Sequence, residues 1–244
     1  MRYAIIADIH SNLAAFTAVL DDIERRGGVE EIWCLGDVVG YGPDPGQCIE
    51  LLRQCNHVCI AGNHDLAAIG KIDTSDFNPD AATANHWTTR QLSTADVNYL
   101  ENLPLVMEKD GFTLAHGSPR EPIWEYLLSI SSARENFTYF QSQFCLVGHS
   151  HVPLVFRYSN TGDCSLSPFK ASVGLFLGKD RLIINPGAIG QPRDGDPRAS
   201  YAIYDSEAKM IRLYRVSYDI YVTQNKMVKQ NFPMRLVARL NYGM

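Results

Sequence analysis

The sequence repeats one short pattern five times: an apolar run of strand length that ends in polar residues able to bind a metal ion. The five segments are AIIADIH (residues 4–10), IWCLGD (32–37), VCIAGNHD (58–65), FTLAHG (112–117) and CLVGHSH (145–151). Short apolar runs bounded by turn residues are typical of buried strands. Because ligands of open α/β sheets gather outside the carboxyl ends of strands, we expect the five polar ends to converge on one site.

The first third of the chain predicts the order βαβαβ, and hence a parallel sheet. Apolar runs predict strands at 3–7, 32–35 and 58–61, and helical periodicity predicts helices at 13–23 and 45–52. Residues 79–102 are expected to be helical, with Ser93 as an N-cap and Pro104 beyond the end.

Strands are expected to dominate the remainder. They are predicted at 105–108, 112–115, 144–147, 154–158, 182–184, 201–204 and 210–216, and the segment GLFLGKD at 174–180 is interpreted as a strand and turn. The tail from residue 218 has helical composition. Since no internal repeat or long linker divides the sequence, we expect one domain over residues 1–244.

The charge balance limits the classes of partner. The 244 residues carry a net charge of −5 and have a pI near 5.8, so no general basic field favours a nucleic-acid backbone. The apolar start at 3–7 is interrupted by Asp8 and is too short for a secretion signal or a membrane span. We therefore expect a cytoplasmic protein, with six reduced cysteines that form no CxxC pair.

The spacing within the polar ends suits a metal centre. Residues i and i+2 of an extended segment face the same way, so Asp8 can converge with His10, and His149 with His151. A carboxylate has two oxygens and can bridge two ions, and Asp37 is the natural candidate. Imidazole, carboxylate and amide ligands without a thiolate suit manganese, iron, zinc, nickel or cobalt better than magnesium or calcium. We expect two divalent transition-metal ions, with manganese as the first candidate.

Taken together, the motifs resemble those of the calcineurin-like metallophosphoesterase superfamily. They are DxH at residues 8–10, GDxxG at 36–40, GNHD at 62–65, HG at 116–117 and GHSH at 148–151, and all five occur in the family order. The stretches GDVVGYGPDP and NPGAIGQPRDGDPRASYA are similar to the small bacterial and archaeal members. The resemblance implies an α/β fold, a four-layer αββα sandwich of two mixed β-sheets flanked by helices.

The resemblance also implies roles for individual residues. One ion would be held by four ligands, Asp8, His10, Asp37 and His151, and the other by Asp37, Asn63, His116 and His149. A hydroxide bridging the two ions would attack phosphorus. His64 is similar to the family histidine that protonates the leaving oxygen or stabilises the transition state, and Asp65 to the carboxylate that orients it. Arg193 is a candidate contact to the substrate phosphate, with a solvated or loop-pinning arginine as the equal alternative.

These features predict an enzyme that hydrolyses a phosphate ester, and a small-molecule or cyclic-nucleotide phosphodiester is the favoured substrate. Serine/threonine protein phosphatases carry Asp-Arg where this chain has Gly40 and Tyr41, which argues against that activity. A nuclease, a phosphomonoesterase and a metal-dependent scaffold without hydrolytic activity stay as alternatives. We expect a small phosphorylated substrate and neither a membrane nor a nucleic-acid partner. The sequence leaves open whether the protein forms a homo-oligomer.

Overall fold

The computed structural model describes residues 1–171 and 173–244, which form two six-stranded sheets and flanking helices. The strands are β1 (Arg2–Ile6), β2 (Glu31–Cys34), β3 (His57–Cys59), β4 (Val106–Lys109), β5 (Phe112–Ala115), β6 (Phe144–Leu146), β7 (Leu154–Tyr158), β8 (Cys164–Pro168), β9 (Gly174–Phe176), β10 (Arg181–Asn185), β11 (Ala199–Asp205) and β12 (Met210–Val216). The helices are α1 (Leu13–Arg25), α2 (Pro45–Gln54), α3 (Asn63–Ala68), α4 (Pro79–Thr89), α5 (Thr94–Glu101), α6 (Ile130–Asn136), α7 (Ile220–Lys229) and α8 (Met234–Arg239).

The first sheet has the order β3-β2-β1-β11-β12-β9, and the second has the order β4-β5-β6-β10-β7-β8. Both are mixed. In the first sheet β1, β2 and β3 are parallel while β11 runs antiparallel to β1. In the second sheet β6 is parallel to β5 and to β10, and β7 runs antiparallel to β10. This architecture confirms the predicted fold class.

The two sheets pack face to face, and helices cover their outer faces. Tyr3 and Ile5 of β1 belong to a core that also contains residues of the second sheet, whereas Ala4 and Ile6 lie in a separate core beneath α1 and α2. The alternation follows from the strand period of two, since successive side chains point to opposite faces. β1 is therefore apolar on both faces, which explains its unbroken hydrophobic run.

Four local differences separate the structure from the sequence prediction. The predicted helix over 79–102 is two helices, because Ser93 caps a new helix: its hydroxyl accepts the Asp96 N–H, and the Asp96 carboxylate accepts the Ser93 N–H. The short helices α3 and α6 were not predicted. Neither was β8, an edge strand of mostly exposed or half-buried residues that shows no apolar run. The prediction of a single domain stays a prediction.

Candidate metal centre

The loops after β1, β2, β3, β5 and β6 meet at one place. Within the first sheet the Asp8 N–H donates to Gly36 O at 3.0 Å, and within the second sheet the Gly148 N–H donates to His116 O at 2.8 Å. The two sheets are joined here because the His149 N–H donates to the Asp8 carboxylate, at 3.2 Å from either oxygen. The polar strand ends of both sheets therefore face one another.

Asp8, His10 and His151 form the first buried cluster. The Nε2 atom of His151 lies 3.3 Å from Asp8 Oδ1, and the Nε2 atoms of His10 and His151 are 3.0 Å apart. One potential ligand atom from each residue lies within 4.8 Å of the other two. Two adjacent imidazoles and a carboxylate in a buried position have the chemistry of a transition-metal site.

Asp37, His116 and His149 form the second buried cluster. Asp37 connects the two clusters, because its Oδ2 atom lies 3.2 Å from Nε2 of His116 and 3.6 Å from Nε2 of His10. Its other oxygen, Oδ1, accepts the backbone N–H of His64 at 2.9 Å. The His64 hydrogen bond fixes the carboxylate so that a single oxygen faces both clusters.

Backbone carbonyls set the orientation of the imidazole rings. The Nδ1 atoms of three histidines lie within hydrogen-bonding distance of carbonyl oxygens: His10 with Val39 at 3.0 Å, His116 with Leu35 at 2.8 Å and His151 with Gln191 at 2.6 Å. A carbonyl only accepts, so each Nδ1 donates a proton and each Nε2 faces the clusters, where it can bind an ion when it carries no proton. In His149 the two ring nitrogens exchange roles: Nε2 lies 3.2 Å from Trp124 O and donates to it, so Nδ1 is the nitrogen available to an ion.

The donor atoms fit metal ions. Among residues 1–171 and 173–244, the buried atoms Asp37 Oδ2, Asn63 Oδ1 and His116 Nε2 make no hydrogen bond of ordinary geometry, although Asp37 Oδ2 and His116 Nε2 lie 3.2 Å apart. An unpaired buried polar atom costs about 1–3 kcal/mol, so such atoms are normally satisfied. Oxygen and imidazole donors that are already desolvated would be satisfied by a divalent cation at each cluster.

The backbone at the site is left-handed. Five of the seven candidate ligands have positive φ, between 49° and 64°: Asp8, His10, Asp37, His149 and His151. Residues with a Cβ rarely adopt this conformation, and strained backbone tends to occur at functional sites. The turn that follows each strand thereby directs its side chain into the centre.

Gly62 is required by the close approach of its loop to Asp37. A Cβ at residue 62 would lie 2.0 Å from Asp37 Oδ1 and 2.6 Å from the Asp37 backbone nitrogen. No rotation of a side chain relieves contact with backbone, so any larger residue must displace Asp37. The glycine of the GNHD motif is explained by this contact.

The predicted role of Asp65 as the carboxylate that orients His64 is wrong in this structure. Asp65 is fully buried, and its oxygens accept the N–H groups of Asp37 at 2.8 Å, Gly62 at 3.0 Å and Val39 at 3.1 Å. The Nδ1 atom of His64 has no hydrogen-bond partner within the described ranges. Adjacent residues at the start of a helix point in different directions, so Asp65 supports the loop that carries Asp37 instead.

Aromatic packing holds His64. Its ring centroid lies 4.4 Å from that of Tyr41, 4.6 Å from that of Phe77 and 4.9 Å from that of His10. Its side chain is buried, and burial lowers the pKa of His64 to about 4 although the charge of Asp37 opposes this. The ring is therefore neutral near pH 7.

The electrostatics of the site couple Asp37 to His116. Burial alone would lower the pKa of His116, but the adjacent charge of Asp37 outweighs it and raises the pKa to about 10. Reciprocally, although burial opposes the shift, the positive charge of His116 holds the pKa of Asp37 well below its usual range. Burial also raises the pKa of Asp65 to about 7, with the charge of Asp37 adding to the effect. Without bound metal, the proton of the pair therefore resides on His116.

A cleft of about 760 Å³ opens beside the metal-ligand clusters. Three of its lining residues touch candidate ligands. The ring of Tyr41 lies 4.8 Å from that of His10, the ring of Tyr126 stacks on His149 at 4.0 Å, and the Arg193 N–H donates to His151 O at 3.2 Å. This volume is typical of small-molecule sites.

Arg193 is therefore at the entrance to the centre. Its guanidinium donates to Gln191 Oε1 at 2.9 Å and to the Tyr41 hydroxyl at 3.4 Å. Gln191 was not singled out from the sequence, although it lies within the NPGAIGQPRDG stretch; Tyr41, Trp124 and Tyr126 were not predicted as site residues either. Aromatic residues that pack against a site give no distinctive sequence signal.

Comparison with known proteins agrees with this geometry. A family model described as the calcineurin-like phosphoesterase superfamily domain matches residues 1–209. A protein from Methanocaldococcus jannaschii is 41% identical over 246 residues, covering 98% of this chain and 97% of its own length. The crystal structure of a metallophosphoesterase from Sphaerobacter thermophilus has 46% identity and a TM-score of 0.90, covering 100% of this chain and 99% of that one.

A more distant relative carries a specific enzymatic name. The symmetrical bis(5′-nucleosyl)-tetraphosphatase of Actinobacillus pleuropneumoniae is 29% identical over 174 residues. The match covers 67% of this chain and 60% of that protein. Across the part of the chain that the structure describes, no helix has the length and apolar character needed to cross a membrane.

Proposed function

Because this chain belongs to the calcineurin-like phosphoesterase superfamily and is a metal-dependent phosphoesterase, we propose that it hydrolyses a small-molecule phosphodiester at a centre of two divalent ions. The observation that carries this proposal is the position of Asp37. A single oxygen of this residue faces the imidazole nitrogens of both clusters, 3.2 Å from His116 and 3.6 Å from His10.

The chain provides ligands for two ions. The first ion is proposed to be held by Asp8, His10, Asp37 and His151, and the second by Asp37, Asn63, His116 and His149. When bound, two divalent ions supply Lewis-acid polarisation of the phosphate and lower the pKa of an attacking water. The ligand types suit manganese, iron, zinc, nickel or cobalt better than magnesium or calcium, and manganese is the first metal to test.

His64 is proposed to act on the leaving oxygen. Because burial lowers its pKa to about 4, the ring is neutral at physiological pH and offers an N–H donor. A neutral donor stabilises negative charge as it develops on the departing oxygen, and full proton transfer is favoured when that oxygen is strongly basic. The aromatic contacts to Tyr41 and Phe77 limit the rotation of the ring.

Arg193 is proposed to contact the substrate phosphate. In protein phosphatases of this superfamily an arginine occupies the position of Tyr41, whereas here Tyr41 accepts a hydrogen bond from Arg193, which comes from a different loop. Its guanidinium lies over the Tyr41 ring, with 5.7 Å from Cζ to the ring centroid. A planar guanidinium at this place suits bidentate binding of a phosphate.

A screen of the purified protein tests the proposal. After reconstitution with each metal in turn, we expect hydrolysis of bis(p-nitrophenyl) phosphate and of at least one nucleotide diester, with two ions bound per chain. The Asp37→Asn variant is the negative control for contaminating activity. Faster cleavage of p-nitrophenyl phosphate would indicate a phosphomonoesterase, and preferential cleavage of an oligonucleotide would indicate a nuclease. Two bound ions without hydrolysis of any ester would favour the scaffold alternative.

A further inference from the structure

The 760 Å³ cleft lies beside the metal centre, and residues of helix α8 form part of its lining. Tyr41, Tyr126 and Arg193 form its inner part, next to the candidate ligands. Arg235 and Arg239, one helical turn apart on α8, contribute to its lining. A ligand that occupies the cleft can therefore contact α8 while it also reaches the metal centre.

The cleft is cationic although the chain as a whole is acidic. Its lining contains three arginines and one acidic residue, Asp80. Other arginines of this protein are neutralised: Arg120 pairs with Glu125, and Arg215 with Asp194. Within residues 1–171 and 173–244, Arg193, Arg235 and Arg239 form no ion pair with an aspartate or glutamate, although the Arg239 guanidinium donates to the Met244 backbone oxygen.

Arg193 and Arg235 are both close enough to Arg239 to lower its pKa. Burial lowers the pKa of Arg239 to about 10, and the charge of Arg193 contributes in the same direction. Grouping uncompensated positive charges is unfavourable, and an anion placed among them removes that cost. The scissile phosphate at the metal centre provides an anion for Arg193. It does not provide one for Arg235 and Arg239.

The lining also offers aromatic surface. Tyr126 and Tyr242 are 49% and 61% exposed, and they line the same cleft as the arginines. Exposed rings beside guanidinium groups bind a planar base by stacking while the cations bind phosphate. This combination is suited to a nucleotide.

On the basis of the proposed function, we infer that Arg235 and Arg239 bind a second phosphate of the substrate, separate from the phosphate that is hydrolysed. The substrate class is then a nucleotide with two or more phosphate groups and not a cyclic mononucleotide. The second phosphate is held by charge-assisted hydrogen bonds from α8, while the scissile phosphate lies at the metal centre.

Equilibrium binding of product-like ligands tests the inference without relying on turnover. Calorimetry on the metal-loaded protein, with metal in excess, compares AMP with ADP and with adenosine 3′,5′-bisphosphate. We expect at least one of the two ligands with a second phosphate to bind about tenfold or more tightly than AMP. A preference for ADP indicates a polyphosphate chain, and a preference for the bisphosphate indicates phosphates on separate ribose positions.

The Arg235→Gln/Arg239→Gln variant is expected to reduce that preference to less than threefold. Arg235→Gln alone, a change at an exposed position, should reduce it partly and guards against effects of misfolding. Arg134→Gln, an exposed arginine on α6 outside the cleft, is the matched charge control and should retain the preference. Equal binding of all three ligands by the wild type, or a preference that survives the double substitution, would overturn the inference.

Hydrolysis of bis(p-nitrophenyl) phosphate, measured in parallel, tests the proposed function separately from the second phosphate site on α8. This ester has no second phosphate. Its hydrolysis without a phosphate-dependent binding preference rejects the α8 site and leaves the proposed function standing. Absence of any hydrolysis rejects the proposed function whatever the binding data show.

Discussion

The Asp65 carboxylate accepts the backbone N–H of Asp37, with 2.8 Å between donor and acceptor, and the same oxygen accepts the N–H of Gly62. Its second oxygen accepts the N–H of Val39. Asp65 therefore acts through the loop that carries Asp37 and is a positioning residue. This arrangement makes its substitution informative.

We expect Asp65→Asn to lower the free energy of unfolding by about 1–3 kcal/mol, because an amide cannot accept on both atoms and at least one buried N–H loses its partner. The displaced Asp37 should also weaken metal binding. Urea denaturation and metal titration measure the two effects, with Asp73→Asn at an exposed position as the control. If Asp65→Asn instead kept wild-type stability and metal affinity but hydrolysed esters with poor leaving groups more slowly, Asp65 would act directly on His64.

Asp37→Asn is expected to reduce activity more than Asp8→Asn. The first substitution removes a charge that faces both clusters, whereas Asp8 belongs to one of them. Asn63→Ala should weaken mainly the second ion, since its unpaired Oδ1 is the only side-chain oxygen it offers. Kinetics across a metal titration and elemental analysis provide the measurements. Equal losses for both aspartate variants, not rescued by excess metal, would reject the bridging assignment of Asp37.

The two interpretations of His64 differ in their dependence on the leaving group. If His64 transfers a proton, His64→Ala should cost about 10²–10⁴ in rate on a nucleoside or alkyl diester and much less on an aryl diester. If the ring only stabilises the phosphate or the metal ligands, the two losses should be nearly equal. Metal occupancy has to be confirmed in the variant. His57→Ala is the control, because His57 bonds to Tyr99 away from the centre.

Metal binding is expected to release about one proton from the Asp37–His116 pair. His116 has a pKa of about 10 without metal, and a ligand nitrogen must be deprotonated. Apparent metal affinity should therefore rise up to about tenfold per pH unit between pH 7 and 9. Calorimetry in buffers of different ionisation enthalpy counts the proton. Affinity that stays flat across this range would contradict the prediction.

The same pair predicts a pH effect on the metal-free protein. A histidine whose pKa is raised on folding stabilises the native state below its unfolded pKa of about 6.5, and this contribution is lost as pH rises toward 10. The melting temperature of the metal-free protein should fall over this range more than that of the metal-loaded protein. Parallel melting curves of the two forms would show it.

The strands that carry the centre could be predicted because each is a short apolar run ended by polar residues. β1 is apolar on both faces, and the predicted strand at 3–7 therefore differs from the observed strand Arg2–Ile6 by only one residue at each end. β8 could not be predicted in the same way, because a half-exposed edge strand has neither an apolar run nor a clear alternation. A strand whose side chains are not buried has no hydrophobic pattern from which it could be predicted.

The directions in which neighbouring side chains point could not be predicted from the sequence. His64 and Asp65 are adjacent in the GNHD motif, yet one packs among aromatic rings and the other binds backbone N–H groups. Arg239 lies 46 positions beyond Arg193 in the chain and lines the same cleft. Such a contact follows from tertiary packing and leaves no local pattern.

The left-handed backbone at five of the candidate ligands lowers the stability of the fold while it positions side chains for catalysis. Each such residue costs about 1–2 kcal/mol, which glycine would not incur. Glycine at any of these positions would relieve the backbone strain but would also remove a candidate ligand, so selection for heat resistance alone gives no reason to keep the ligands. The chemistry persists only where activity is selected together with stability.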